Sequence, residues 1–111
     1  MIEDGVDMAR VIRSGDYIGG KAWDALEIET FEDVTVRLHW TDRPYVWHVN
    51  DGPEVFAVLD GVVEMHVRHS GGQRMFRLEP GDIFHVHEGD EHRAMPQGAA
   101  RILVIERKGS V

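Results

Sequence analysis

Residues 47–61, WHVNDGPEVFAVLDG, contain the pattern that decides the fold. His48 and Asn50 stand two positions apart, Glu54 follows four residues after the asparagine, and Gly61 comes seven residues after the glutamate. The NDGP sequence within it is typical of a turn, because Asn, Asp, Gly and Pro each favour a bend in the backbone. If this turn joins two strands, His48 and Glu54 lie on facing strand ends and their side chains can reach one site.

The segments on both sides of this turn alternate between apolar and polar residues, which is the period of a β-strand. In residues 34–40, VTVRLHW, the alternation separates an apolar face from a polar one. Residues 44–50, 54–60 and 62–69 alternate in the same way. Because turn sequences rich in Gly, Asp and Pro separate many short strands, the chain is predicted to form an all-β sandwich or barrel.

The same alternation predicts which side chains fill the core and which face solvent. The predicted core consists of Phe56, Val58, Val63, Met65, Val67, Phe76, Leu78, Phe84, Val86, Ile102 and Val104. His39, His66 and His69 lie on polar strand faces or in a turn, and they are expected at the surface.

The first 20 residues are the least regular part of the chain, and we predict an N-terminal arm there, before a barrel domain at residues 21–111. Residues 6–12, VDMARVI, fit either one helical turn or an edge strand, and residues 13–20, RSGDYIGG, are expected to be loop. The arm and the strand edges need cover, so we predict a homodimer, which light scattering at micromolar concentration can test.

The composition limits the classes of function. The 111 residues suffice for one domain with one core. The sequence has no apolar stretch of about 18 residues, so we predict no membrane-spanning helix. Twenty acidic and 12 basic residues give a formal charge of −8 without a basic stripe, which argues against nucleic-acid binding. This charge still permits one anionic ligand in a pocket lined locally by arginine, and Arg37, Arg68 and Arg93 are the candidates. The lack of cysteine excludes disulfides and zinc–thiolate sites and, with an acidic N-terminus unlike a signal peptide, predicts a cytoplasmic protein.

Six of the seven histidines fall between positions 48 and 92, and one cluster of them reads HVHEGDEHR at residues 85–93. His87 and His92 are five residues apart and Gly89 disfavours a helix, so the cluster is not the H-E-x-x-H motif of zinc proteases. His85 shares a strand face with His87. Both are expected to point outward, with His87 beside the mouth of a barrel.

With these features the sequence resembles the cupin superfamily, whose fold is a small jelly-roll barrel, the double-stranded β-helix. The first cupin motif is roughly HxH(x)3–4E(x)6G. It is matched here, with one residue changed, by His48, Asn50, Glu54 and Gly61.

The second cupin motif is roughly PxG(x)2H, and a Pro-Gly-Asp strand entry precedes it. It is matched by LEPGDIFHVHEGDEH at residues 78–92, in which His87 stands where the motif has proline. The resemblance covers about residues 21–108 and is greatest to small single-domain cupins often labelled mannose-6-phosphate isomerase-like.

In cupins, three histidines and one glutamate usually hold a metal inside the barrel. The resemblance therefore implies His48, Glu54 and His92 as metal ligands, with Asn50 as a weak fourth ligand in place of the second histidine. Two imidazoles and one carboxylate are also the ligand set of non-haem iron(II) facial triads, although manganese, nickel or zinc suits them as well. Relatives often carry four residues between the second histidine and the glutamate. Only three stand between Asn50 and Glu54, which favours an asparagine that is displaced as well as substituted.

The resemblance leaves two functions open. In the first, the barrel binds a divalent metal ion and a small molecule, with or without enzymatic activity. In the second, Asn50 marks a cupin without a working metal site, which acts as a sugar or small-ligand binder or sensor. In either case the residues expected to line the pocket are Trp47, Phe56, Val58, Phe84 and His87.

Overall fold

The computed structural model describes residues 2, 3 and 8–110. Its secondary structure consists of short strands and one 3₁₀ turn at Ser14–Asp16. The strands are β1 (Ile2–Glu3), β2 (Val11–Ile12), β3 (Asp24–Phe31), β4 (Val34–Thr41), β5 (His48–Val49), β6 (Glu54–Asp60), β7 (Val63–His69), β8 (Gly72–Leu78), β9 (Ile83–Val86), β10 (Glu91–Pro96) and β11 (Ala100–Arg107). The described residues include no helix that is long and apolar enough to cross a membrane.

Two antiparallel sheets form the body of the molecule. One has four strands in the order β5–β10–β7–β8, and the other has five in the order β3–β4–β11–β6–β9. The short strands β1 and β2 pair only with each other within the described residues. The predicted all-β architecture is therefore confirmed, while the predicted homodimer and the boundary after residue 20 stay predictions.

The core lies between the two sheets, and the residues predicted for it are confirmed. Phe56, Val58, Ile102 and Val104 of the five-stranded sheet pack in one cluster with apolar residues of the four-stranded sheet, among them Met65. Val67, Phe76 and Phe84 are partly buried against this cluster, and Val86 is fully buried. Alternation predicted this set well because β6, β7 and β11 each bury one face against the other sheet.

Gly61, the glycine of the first motif, makes the turn between β6 and β7. Its φ of +80° lies in the left-handed region, which side chains with a Cβ atom rarely adopt. A Cβ atom at this position would also collide with the carbonyl oxygen of Ala99 and lie 2.9 Å from the Cα atom of Ala100. The motif glycine is therefore required both by the backbone conformation and by the close approach of the next strand connection.

Two segments differ from their predicted structure. The alternating run at 44–50 is a strand only at His48–Val49, because the turn chemistry of Pro44 and of the NDGP sequence confines the extended part. In the segment 6–12, residues 6 and 7 lie outside the described residues, while Val11 and Ile12 form a strand. Residues 13–20 are loop apart from the 3₁₀ turn.

Candidate functional site

The inner face of the five-stranded sheet is arranged in rows, because directly opposed residues of antiparallel strands point to the same side. The first row holds Thr35, Glu106, Glu54 and Val86. The second row holds Arg37, Val104, Phe56 and Phe84. The third row holds His39, Ile102 and Val58. Polar residues therefore concentrate in the first row and along β4, and apolar residues fill the remaining positions.

The four-stranded sheet adds two histidines to this polar region. His48 of β5 and His92 of β10 are directly opposed, and their ring centroids lie 4.3 Å apart. Together with two residues of the first row and three of the second they line a cavity of about 160 Å³ between the sheets, and these five are Glu54, Glu106, Arg37, Val104 and Phe56. Its polar lining includes Arg37, His39, His48, Glu54, His92 and Glu106.

His92 and Glu54 form the closest polar pair across the cavity. The Nε2 atom of His92 lies 3.5 Å from the Oε1 atom of Glu54, and both side chains are more than nine-tenths buried. Neither that Oε1 atom nor the Nδ1 atom of His92 has a hydrogen-bond partner. Buried polar atoms normally find such partners, so these two atoms mark a place where a bound group would be stabilised.

His48 is oriented by its own backbone neighbourhood. Its Nδ1 atom lies 3.1 Å from the carbonyl oxygen of Val46, so in the neutral form of the ring Nδ1 carries the proton and donates it to that oxygen. The second ring nitrogen, Nε2, is then left as an acceptor. Tyr45 packs edge-to-face on the same ring, with the centroids 5.1 Å apart, which restricts its rotation.

Glu106 stands directly opposite Glu54 in the first row. Burial raises the pKa of Glu106 to about 8, and hydrogen bonding to Glu54 and repulsion from its charge act in the same direction. At neutral pH the carboxyl group of Glu106 therefore favours its protonated form.

Arg37 and His39 of β4 add basic groups to the cavity, opposite in charge type to the two glutamates. Arg37 is partly buried, and its positive charge acts on both Glu106 and His39. Burial lowers the pKa of His39, while a hydrogen bond to the backbone of Trp23 acts against this decrease. Burial thus favours the neutral form of His39, and Arg37 supplies a positive charge to the cavity wall.

Trp23 and Tyr45 close the aromatic side of the cavity. Their ring centroids lie 5.2 Å apart in an edge-to-face contact, and Trp23 also contacts His39 at 6.2 Å. The backbone of Trp23 has a φ of +60°, which is rare for a bulky residue. The turn before β3 thus holds an aromatic ring over the site at some cost in backbone strain.

The structure brings three of the four residues of the implied ligand set to the cavity, namely His48, Glu54 and His92. Asn50 is buried but does not line it. Its Nδ2 atom donates a hydrogen bond to the carbonyl oxygen of Gly52 at 2.6 Å, and its backbone pairs with residues 89 and 90. Asn50 therefore occupies the position of a turn residue.

The residues expected to line the pocket are spread more widely. Phe56 lines the cavity, whereas Val58 is wholly buried in the core and Phe84 packs against that core. The ring of Trp47 stacks against the guanidinium of Arg68, 3.8 Å from its centroid, and does not line the cavity. His87 is exposed, as is His85.

A divalent metal fits this cavity only in part. The donor types are suitable, because imidazole nitrogens and carboxylate oxygens bind iron, manganese, nickel and zinc. Within residues 2, 3 and 8–110, however, no group of three or more His, Cys, Asp or Glu side chains is arranged to hold a metal ion. The turn geometry of Asn50 removes the fourth position.

Two residues of the cavity were missed or misplaced by sequence reasoning. Glu106 alternates with Ile102 and Val104 in the run ILVIER, so the strand period could have placed it on the inner face. The expectation that His39 is exposed is wrong, because β4 is covered on both faces. Leu38, which points the other way, is only 1% exposed. Polarity alone therefore could not tell which face of β4 is the inner one.

Neither a protein-family model nor a curated protein matches the sequence. Solved structures do resemble the chain. A cupin-2 domain protein of Shewanella frigidimarina has a TM-score of 0.72 and 25% identity over 81% of this chain and 85% of its own. A cupin superfamily protein of Desulfitobacterium hafniense has a TM-score of 0.71 and 13% identity over 97% of this chain and 98% of its own.

A third structure bears on ligands. The vicilin of Solanum melongena, described as having different anionic ligands in structurally similar pockets, matches 70% of this chain and 22% of its own at a TM-score of 0.60 and 18% identity. The sheet order, the two motif regions and these likenesses agree with the resemblance seen in the sequence. The chain therefore has the cupin fold and is similar to small cupin-2 domain proteins at low sequence identity.

Proposed function

We propose that the barrel cavity binds a small anionic molecule directly, with Arg37 as its counter-charge. The observation that carries this proposal is the state of Arg37. It lines the cavity, and no hydrogen bond or salt bridge joins its guanidinium to another described residue. A partly buried cation that makes no hydrogen bond or salt bridge is unfavourable, so an anion that reaches Arg37 gains a direct pairing in addition to the electrostatic influence of Glu106.

The other two arginine candidates are already engaged or directed elsewhere. Arg68 bonds Glu91 at 2.6 Å and stacks on Trp47, and Arg93 stands opposite His66 on the outer side of the four-stranded sheet. The net charge of −8 would repel anions from most of the surface. Selectivity would then come from the one local positive charge.

The size of the cavity limits the ligand. Its volume of about 160 Å³ is below the roughly 300–1,000 Å³ of sites for drug-sized molecules. A ligand with few non-hydrogen atoms is therefore favoured. The vicilin with anionic ligands in its pockets lends support to an anion in a cupin-fold cavity, although its sequence is distant.

Calorimetric titration with propionate tests the proposal. We expect saturable binding to the wild-type protein and at least tenfold weaker binding to Arg37→Gln. Arg77→Gln is the matched control, because Arg77 is exposed and contacts Glu79 at the surface. Equal affinities for the two variants, or no binding at millimolar propionate, would overturn the proposal.

A divalent metal ion held by His48, Glu54 and His92 is a second candidate. It is favoured by the 3.5 Å approach of His92 Nε2 to Glu54 Oε1, because ligand atoms of one metal ion lie at about this spacing when each is about 2.1 Å from the ion. The contact of His48 Nδ1 with the Val46 carbonyl also matches the way metal-binding histidines are oriented.

Elemental analysis of protein made without a metal-affinity tag separates the two candidates. A metal site predicts close to one divalent ion per chain, lost in His92→Ala and retained in His85→Ala, which changes an exposed histidine. Near-zero metal after supplementation, together with propionate binding, would leave the direct anion site as the function.

A further inference from the structure

We propose that the ligand of this cavity is a small zwitterion, whose anionic group pairs with Arg37 and whose ammonium group lies between Glu54 and Glu106. This inference rests on the proposed function, because it retains Arg37 as the anion partner. It adds a second recognition point of opposite charge and so names the class of ligand.

The register of the five-stranded sheet separates the two recognition points. Arg37 lies in the second row and faces Val104, whereas Glu106 and Glu54 face each other in the first row. Arg37 and Glu106 are therefore diagonal neighbours, which are typically about 7–8 Å apart, with a somewhat shorter distance between their Cβ atoms. No salt bridge between them occurs in the described residues, so the cavity wall presents a positive and a negative region side by side.

The negative region also has an unfilled hydrogen-bonding position. Glu54 is 7% exposed, and its Oε1 atom is buried without a hydrogen-bond partner. Glu54 and Glu106 are both lining residues of the cavity. An ammonium group has three donors and one positive charge, so it can satisfy Oε1 and bridge to the second carboxyl group at once.

The cavity volume selects among zwitterions. About 160 Å³ corresponds to the share of roughly five water molecules in the liquid, at about 30 Å³ each. This volume favours a short amino acid or amino sulfonate over a long one. Trp23 and Tyr45 form an aromatic wall of the cavity, against which the methylene groups of such a ligand would pack.

Titration with three matched probes tests the inference in the wild-type protein. β-Alanine carries both charges, propionate carries only the anionic group, and propylamine carries only the ammonium group. We expect β-alanine to bind at least tenfold more tightly than either of the other two. The titrations are made with and without EDTA, so that coordination to a metal ion is recognised by its loss with the chelator.

Two variants test which residues bind the anionic group and the ammonium group of the ligand. Arg37→Gln should weaken both β-alanine and propionate at least tenfold. The double variant Glu54→Gln/Glu106→Gln should bring the affinity for β-alanine to within twofold of that for propionate. The matched control is Arg77→Gln/Glu79→Gln, which neutralises an exposed pair whose charged atoms are 3.7 Å apart and should leave all affinities unchanged.

The outcomes distinguish this inference from the proposed function. If propionate binds through Arg37 and β-alanine binds no more tightly, the zwitterion inference is wrong and the anion site stands. If neither binds, both fail. Should the double variant not fold, the comparison of the three probes in the wild-type protein decides alone.

Discussion

The two ends of the space between the sheets are built from the same strands but differ in chemistry. At one end the inward positions of β6, β11 and β10 are Glu54, Glu106 and His92. Four positions further along each strand, the inward residues Val58, Ile102 and Pro96 are buried and uncharged. One end is thus packed to contribute stability, and the other holds charged groups around a cavity.

This difference shows how a small domain divides its residues between stability and binding. A cavity with charged walls costs free energy, because polar groups are desolvated and dispersion contacts are missing. The apolar end compensates, since Val58, Val63, Met65 and Ile102 are each at most 1% exposed. Substitutions at the two ends should therefore differ in size and in their dependence on pH.

The largest effect is expected at the apolar end from Met65→Ala. Removing a fully buried side chain leaves a void, and the free energy of unfolding should fall by about 2–5 kcal/mol. Met75→Ala is the matched control, because Met75 is 50% exposed on the neighbouring strand β8 and should change stability by less than about 0.5 kcal/mol. Urea unfolding measures both. Similar losses for the two variants would contradict the assignment of the apolar end as the source of stability.

A somewhat smaller loss is expected from Gly61→Ala in the turn between β6 and β7. The alanine must adopt a positive φ and its Cβ atom meets the strand connection at Ala99, so a cost of about 2–3 kcal/mol is expected. Gly98→Ala separates the two causes. Gly98 also has a positive φ, +85°, but open space around it, and should cost only about 1 kcal/mol. Equal midpoints in urea for the two variants would show that the close approach has no energetic weight.

The two ends were not equally predictable from the sequence. Strand period predicted the apolar core most directly at Met65, because residues 63–68 alternate strictly between an apolar and a polar face, so that only one face can be buried without cost. The motif spacing likewise predicted that His48, Glu54 and His92 come together.

The arrangement of the polar end was harder to predict from the sequence, because polar residues can be exposed to solvent as well as buried. Arg37 and His39 lie in a strand with one polar and one apolar face, and the sequence suggested that the apolar face is the inner one. The structure places Leu38 under cover on the outer side and directs Arg37 and His39 to the cavity. Which side of a sheet receives cover depends on distant segments, and local alternation contains no information about them.

At the polar end, Glu106→Gln should stabilise the protein at high pH. The pKa of Glu106 in the folded chain, about 8, exceeds its ordinary value of 4.5, so the folded state binds more protons between these values. The stability of the wild-type protein therefore falls as pH rises from 4.5 to 8. Glutamine mimics the protonated form, so the variant should be more stable than the wild-type protein by about 1–2 kcal/mol at pH 8. This figure is smaller than the full pKa difference would give, because the carboxyl group is partly exposed to solvent. At pH 5 the two should be nearly equal.

Urea unfolding of both proteins at the two pH values measures this difference. Glu79→Gln is the control, because Glu79 is exposed and should follow the wild-type protein throughout. A constant offset between Glu106→Gln and the wild-type protein at pH 5 and pH 8 would rule out a raised pKa of Glu106 in the folded protein.

The smallest effect is expected for His39, and it has the opposite sign. Burial lowers the pKa of His39 below 6.5, so below that pH the unfolded chain binds more protons than the folded one. Its contribution to stability is complete above pH 6.5 and is lost as the pH falls toward the lowered value. His39→Gln should therefore lose less stability than the wild-type protein between pH 7 and pH 5. The exposed His85 offers the control His85→Gln, which should follow the wild-type protein. If the stability of His39→Gln also follows that of the wild-type protein between pH 7 and pH 5, His39 is protonated as easily in the folded chain as in the unfolded one. In acid the polar end would then hold the charge of His39 in addition to that of Arg37.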